Sequence, residues 1–339
     1  MKVKKLLVAA MFATISAASV YAQSIQTATL QTDDGVQVFY GTDALNSAYN
    51  AAQDGNTIYL SAGLFNGGTL SKSIKIIGAG GFNADASKNT VINGAMSINR
   101  IAESYTDYLE LEGFVVRNGF YVGNSSSGDN KMLRIKKINF ESDLAFYARS
   151  GNFLNIEIFQ CVIRNLQWQP SGDPQRIYRD VLVSNSIIVA NNGYAHNTSS
   201  AIIINSIIYA PSNVYDRSLQ NNIIVANKIN QTPNSVSNNI FTGADNFPSV
   251  SNQSTNWENV VLSDLFVNQP ENKWDASYDY NLKNPKDYIG TDGTQVGIYG
   301  GLFPWNPVPS NPQIIESKVS PVTTNDGKLN FRIKAEAQQ

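Results

Sequence analysis

The sequence predicts an all-β fold, a parallel β-solenoid, and three observations carry that prediction. A short phrase recurs along the chain, its residues fall into apolar and polar columns, and asparagine is far too common for a helical protein. The phrase reads Asn185-Ser186-Ile187-Ile188, Asn205-Ser206-Ile207-Ile208, Asn221-Asn222-Ile223-Ile224 and Asn238-Asn239-Ile240-Phe241. Looser copies precede it at Glu112-Gly113-Phe114-Val115, Lys136-Lys137-Ile138-Asn139 and Gln160-Cys161-Val162-Ile163. With the second residue of each copy as anchor, the positions are 113, 137, 161, 186, 206, 222 and 239, in steps of 24, 24, 25, 20, 16 and 17. A period near 20 that tolerates insertions suits one solenoid coil per copy.

The columns give the coil its faces. One residue after each anchor stand Phe114, Ile138, Val162, Ile187, Ile207, Ile223 and Ile240; one before stand Glu112, Lys136, Gln160, Asn185, Asn205, Asn221 and Asn238. Strand residues alternate faces, so the apolar column predicts an inward stack and the polar column an outward face or corner. The 40 Asn among 339 residues fit such corners, because Asn tolerates left-handed backbone and bonds locally. Helical solenoids need apolar periodicity over roughly ten residues, whereas runs such as Ala201-Ile202-Ile203-Ile204 are short and β-branched. Propeller blades need repeats of about 40 residues, longer than any step here.

Taken in order, residues 1–22 read as a secretory signal peptide. Lys2, Lys4 and Lys5 precede the apolar stretch Leu6 to Ala18, and Val20-Tyr21-Ala22 is a small-x-small cleavage site. The stretch is shorter than the roughly 20 residues a bilayer span needs. The expected location is therefore secreted, periplasmic or at the cell surface, after cleavage. Residues 23–42 form a lead-in, and 43–303 the solenoid. Ala44, Leu45, Ala48, Ala51 and Ala52 supply one face of a short helix that caps the open solenoid end, where strand edges and apolar side chains would otherwise invite stacking. Residues 304–339 comprise a stiff, extended Pro304-Trp305-Asn306-Pro307-Val308-Pro309 linker and a β tail, in which Leu329 to Ala335 alternates apolar and cationic residues. The tail is expected as a small β appendage that covers the last coil.

The segment Asp43 to Phe65, with Asp54-Gly55-Asn56-Thr57-Ile58-Tyr59-Leu60, resembles the opening segment of pectin lyase-like right-handed parallel β-helix proteins. Leu70-Ser71-Lys72-Ser73-Ile74-Lys75-Ile76-Ile77-Gly78-Ala79-Gly80 is similar to that superfamily's second strand and turn. Gly290 to Gly301 resembles the closing coil of exported β-helix proteins of Gram-negative bacteria, the Bacteroidota especially. The resemblance brackets 43–301 and implies a right-handed coil. It also directs attention to acidic polysaccharides, the substrates of many enzymes on this fold.

Those enzymes' signatures are absent. Polygalacturonases carry Asn-Thr-Asp, a paired Asp, Gly-His-Gly and Arg-Ile-Lys in order; this chain has Arg134-Ile135-Lys136 and Arg332-Ile333-Lys334 without the others, and Asp33-Asp34 precedes the coils. Inverting hydrolysis thus lacks its paired carboxylates. The Asp-Phe-Ile-Phe-Gly of pectin methylesterases and the Trp-Ile-Asp-His of pectate lyases do not occur. Composition excludes more: one Cys and one His rule out intrachain disulfides and multi-histidine or multi-cysteine metal sites. A formal charge of −2 offers no field for nucleic acid. His196 reads as a loop residue, and Asp275, Asp279, Asp287 and Asp292 match no calcium loop.

Lyase chemistry asks less of a sequence: a base, plus a charge that steadies the enolate. The columns gather Arg117, Glu141 and Arg164 on successive coils, with Asp143, Arg134 and Tyr147 expected nearby. Trp168, Arg176, Tyr178 and Arg179 lie in the following insertion, an expected exposed aromatic platform with arginines for a sugar carboxylate. Arg117, Arg164 and Tyr147 are the candidate catalytic groups; Arg134, Glu141, Asp143, Trp168, Arg176, Tyr178 and Arg179 are the candidate ligand contacts. No metal or cofactor is expected, with calcium considered only for a lyase. The leading expectation is a noncatalytic exported β-helix that binds or is displayed on extended carbohydrate or cell-surface material. Alternatives are a polysaccharide lyase acting on an acidic glycan and a structural or adhesive surface module. A monomer with no membrane span and no nucleic-acid partner is expected.

Overall fold

The computed structural model describes residues 25–101, 105–123, 128–147, 151–168, 178–192, 201–209, 218–225, 235–242, 255–271, 273–324 and 326–336. Residues 1–22, read above as a signal peptide, lie outside the described residues, as do Arg176 and His196. The chain is a parallel β-solenoid. One wall stacks Thr57–Leu60, Lys75–Ile77, Leu109–Glu112, Asn130–Lys136, Phe153–Phe159, Tyr178–Ser184, Ile202–Ile204, Ser218–Gln220 and Ser235–Ser237 in chain order. A second wall stacks Gly63–Asn66, Thr90–Asn93, Val115–Val116, Asn139–Phe146, Val162–Gln167, Ile187–Ile188, Ile207–Ile208, Ile223–Ile224 and Ile240–Phe241. The strands Thr69–Leu70, Met96–Ile98 and Phe120–Val122 join it through the far half of Asn139–Phe146, making a third, narrower face. No helix among the described residues is long and apolar enough to cross a membrane.

The corner between the first two walls is built by left-handed backbone. Gly113, Lys137, Gln160, Asn185, Asn205, Asn221 and Asn238 all have positive φ, from 47° to 75°. That register corrects the sequence alignment by one residue between its second and third copies. Val115, Asn139, Val162, Ile187, Ile207, Ile223 and Ile240 are true neighbours. The column before them, Phe114, Ile138, Cys161, Ser186, Ser206, Asn222 and Asn239, points into the bore, and every member is fully buried. Cys161 is therefore interior, and burial pushes its thiol up to about 12.

The correction also turns over part of the apolar column. Phe114 and Ile138 face inward as expected. Val162, Ile187, Ile207, Ile223 and Ile240 face outward, and they are buried because the C-terminal segment lies over them. Val296, Ile298, Tyr280, Leu282 and Phe266 pack on this stripe. Ile163, Ile188, Ile208, Ile224 and Phe241, one residue further along, line the bore instead.

The covering segment runs back along the corner, antiparallel to the order of the coils. Asn238 donates to Ile289 O (3.1 Å), Asn221 accepts from Thr291 N (3.0 Å), and Asn205 reaches the Asp292 carboxylate (3.3 Å). Asn185 donates to Ile298 O and Gly300 O at 3.0 and 2.7 Å, and Gln160 to Pro304 O at 2.5 Å. Lys137 donates to Val308 O (2.6 Å), and Ser310 binds the Glu112 carboxylate through N and Oγ at 2.7 and 3.0 Å. The corner asparagines are thus a row of clasps. Gly297 is required here: at φ +81°, an added Cβ would lie 2.6 Å from Ile223 Cδ1. Gly290 to Gly301 is accordingly an axial strap outside the coils, and the Pro304 to Pro309 stretch is docked rather than free.

The ends are closed differently. The helix Ala44–Ala51 caps the first coil, burying Ala44, Leu45, Ala48 and Tyr49, with Ala52 just beyond it; Ala51 faces solvent. Lys72 Nζ donates to Tyr49 O and Ala52 O at 2.7 and 2.6 Å, placing a cation on the helix's orphaned carbonyls. At the other end Trp257 adds a further rung to the second wall, bridging in parallel to Ile240. The tail is a hairpin, Gln313–Thr323 with Leu329–Glu336, and the strap delivers it to the level of Glu112.

Candidate functional site

Arg117, Glu141 and Arg164 converge on the second wall as their spacing predicts. Arg117 Nε lies 3.5 Å from Glu141 Oε2, with both side chains about half exposed at 49% and 43%. Arg164 Nη1 donates to Glu141 O at 3.4 Å. A register shift between Phe140 and Asp143 sets two residues, Glu141 and Ser142, against Arg164 alone. This β-bulge aims Glu141 at its arginine neighbours. Asp143 accepts from Asn165 Nδ2 at 2.7 Å, and Tyr147 is exposed at the end of the same strand.

The other expected members go elsewhere. Trp168 and Tyr178 are 1% exposed and form no outer platform. Trp168 stacks on Phe146 (5.0 Å, 3°) and meets Tyr178 edge-on (5.1 Å, 88°), while Tyr178 stacks on Phe153 (5.1 Å, 16°). Strand alternation causes this: Trp168 lies two residues beyond inward Leu166, and Tyr178 pairs with inward Phe153. Arg179 is exposed but sits on the first wall, opposite Leu154. Arg134 is also on the first wall, so it is not a neighbour of Arg164.

Arg134 instead centres an ionic ladder absent from the sequence reading. Its Nε donates to Glu157 Oε2 at 2.5 Å, its Nη1 to Glu110 Oε1 at 3.4 Å, and its guanidinium lies 4.2 Å over the Tyr108 ring. Lys136 and Lys75 also pair with Glu110, at 3.3 and 3.6 Å. Burial works to raise the Glu110 carboxyl, but Lys136 and Lys75 outweigh it and hold the group below its ordinary value. The Glu157 hydrogen bond raises Arg134, which stays a fixed cation. The signal was present in the sequence: Glu110, Arg134 and Glu157 are 24 and 23 residues apart, one coil each.

These two clusters differ in what they offer a ligand. On the first wall, alternating charge is spent across coils, with Lys75, Glu110, Arg134 and Glu157 in one register column. On the second, Arg117 and Arg164 keep polar surface open to solvent, while Tyr147 is exposed at the third face, where its N–H donates to Val122 O. The Arg117 and Arg164 guanidinium groups give this wall forked hydrogen-bond donors. Among the described residues no group of three His, Cys, Asp or Glu side chains could hold a metal ion. No protein-family model, curated protein or solved structure matches the chain significantly.

Proposed function

We propose that the chain is an exported, noncatalytic β-helix of the pectin lyase-like type found in Gram-negative Bacteroidota. In this reading its second wall binds extended acidic carbohydrate or cell-surface material. The export rests on the 1–22 segment, and the kinship on the Asp43 to Phe65 segment together with the parallel coils. One observation carries the binding reading: Arg117 and Arg164, both held against Glu141, present guanidinium groups to solvent. Guanidinium groups suit uronate carboxylates, which they bind in forked geometry. The test is binding of the purified chain to alginate, pectate and glycosaminoglycans, with Arg117→Ala/Arg164→Ala as control. Affinity that is unchanged in the double variant would remove this surface from the proposal.

The lyase reading keeps one supporting observation, the exposure of the Tyr147 phenol. Ultraviolet absorbance of unsaturated product during incubation with the same polymers separates the two readings. Product formation would replace binding by catalysis, and Tyr147→Phe would then abolish it. Attachment to cells with no glycan bound would favour a structural or adhesive module.

A further inference from the structure

The first wall begins with an antiparallel hairpin, Thr27–Thr32 and Gly35–Tyr40, that precedes the first coil. Gly35–Tyr40 is the terminal strand of the sheet and has a neighbour on one side only. The phase of its hydrogen bonds can be fixed. Gly41 N donates to Gln26 O at 2.9 Å, and bonded pairs alternate along an antiparallel ladder. Gly35, Gln37 and Phe39 therefore bond to the Thr27–Thr32 strand. Val36, Val38 and Tyr40 direct their N–H and C=O groups away from the sheet.

Natural edge strands are guarded by lysine, proline, bulges or a covering element. This one reads Gly-Val-Gln-Val-Phe-Tyr, with no charge and no proline, and its register with Thr27–Thr32 runs unbroken from Thr32↔Gly35 to Thr27↔Tyr40. Val36, Val38 and Tyr40 are 64%, 44% and 67% exposed, an apolar stripe alongside the unpaired backbone.

We propose that Gly35–Tyr40 is a self-association edge, pairing antiparallel with the same strand of a second copy about a two-fold axis at Val38. Val38 then faces Val38, and each Val36 faces a Tyr40. Every outward N–H and C=O of both strands gains a partner in that one register. The outer face becomes a run of β-branched and aromatic cross-strand pairs, the combination that stabilises antiparallel sheets. A second copy is the occupant because the edge is self-complementary: it has no charge to repel its own image, and an isologous contact closes at two chains. Asp33 and Asp34, at the hairpin turn, oppose slippage that would carry carboxylates onto Val38 or Tyr40. The protein is then a reversible dimer in place of the expected monomer. A single strand pair makes a small interface, so its association depends on concentration.

Sedimentation velocity over a dilution series of the purified chain tests this. The weight-average mass should rise toward twice the 37.0 kDa chain mass at high concentration and fall to one chain on dilution. Val38→Lys and Val38→Glu each set like charges face to face at the axis. Either alone should weaken self-association by at least about tenfold, while their equimolar mixture should recover it. Val38 is exposed, so circular dichroism should show both variants folded. A single-chain mass at every concentration overturns the proposal, as does a Val38→Lys variant that associates like the parent or a mixture that stays unassociated. Loss of association in Phe331→Lys with retention in Val38→Lys would also overturn it, by placing the contact on the C-terminal hairpin.

Discussion

The early coils and the late coils solve one problem by different means. Through Cys161 the bore column is apolar, Phe114, Ile138 and Cys161, and the strands reach eight residues in Asn139–Phe146. From Ser186 onward the second-wall strands shrink to two residues, and the same column becomes Ser186, Ser206, Asn222 and Asn239. These side chains bond one another's backbone through the core. Cys161 N donates to Ser186 Oγ (3.1 Å), Ser186 N to Ser206 Oγ (3.1 Å), and Ser206 N to Asn222 Oδ1 (2.9 Å). Asn222 N donates to Asn239 Oδ1 (2.9 Å), and Asn239 N to Asn256 Oδ1 (2.9 Å). Shorter coils have less strand pairing for their corner amides, so polar side chains inside the bore complete the accounting. Long coils can afford an oily centre; short ones are wired.

That contrast can be broken most severely at Asn222. Its Nδ2 also donates to Ile203 O (2.8 Å) and Asn239 Oδ1 (3.0 Å), so Asn222→Leu strands several buried groups at once. The expected loss in urea unfolding is about 3–5 kcal/mol. Cys161→Ser, in the same column at the boundary of the early coils, should cost about 1 kcal/mol or less and fix where the wiring starts. Between them falls Asn185→Ala, which leaves Ile298 O and Gly300 O without their clasp and should cost about 2 kcal/mol. It should also expose the strap to protease cleavage ahead of the coils.

The outer surface of the early coils predicts smaller effects. Arg134→Met removes two ion pairs whose side chains are about a quarter exposed and should change stability by about 1 kcal/mol, less at high salt. Acid should act on both regions through carboxylates. Glu110 and Asp292 are held below their ordinary 4.5 and 3.8, Asp292 by Thr294 and Asn205 hydrogen bonds that outweigh its burial. The unfolded chain therefore takes up protons first. The stability these groups contribute is complete above their ordinary values and is lost as pH falls through the lowered folded values. Thermal unfolding followed from pH 7 to about pH 3 should show a decline confined to the acidic end. Asp292→Asn should flatten its late-coil share and leave the Glu110 share intact.

The fold was legible because coils repeat: a column that recurs seven times survives insertions. The slip at Gln160-Cys161 arose because Lys137 and Gln160 are both polar and Cys161 looks unlike Ile138, although each pair occupies one position. Left-handed backbone resolves it, and sequence does not display backbone angle at a lysine or glutamine. Arg117, Glu141 and Arg164 were found by counting, since no insertion separates them. Trp168 and Tyr178 were misplaced because inside and outside depend on residue parity, and an insertion destroys parity. The strap was invisible for another reason: Asn185 and Ile298 are 113 residues apart, and no local pattern joins them.

Because the strap runs against the order of the coils, the last part of the solenoid to be synthesised is what seals its flank. A polypeptide interrupted before residue 289 would carry complete coils with Val162, Ile187, Ile207, Ile223 and Ile240 in an open greasy seam. Such a fragment would be sticky and prone to capture by chaperones or proteases, whereas a chain that includes the strap covers its own seam. The clasped corner thus makes solubility of the coils depend on a segment that follows them in the chain.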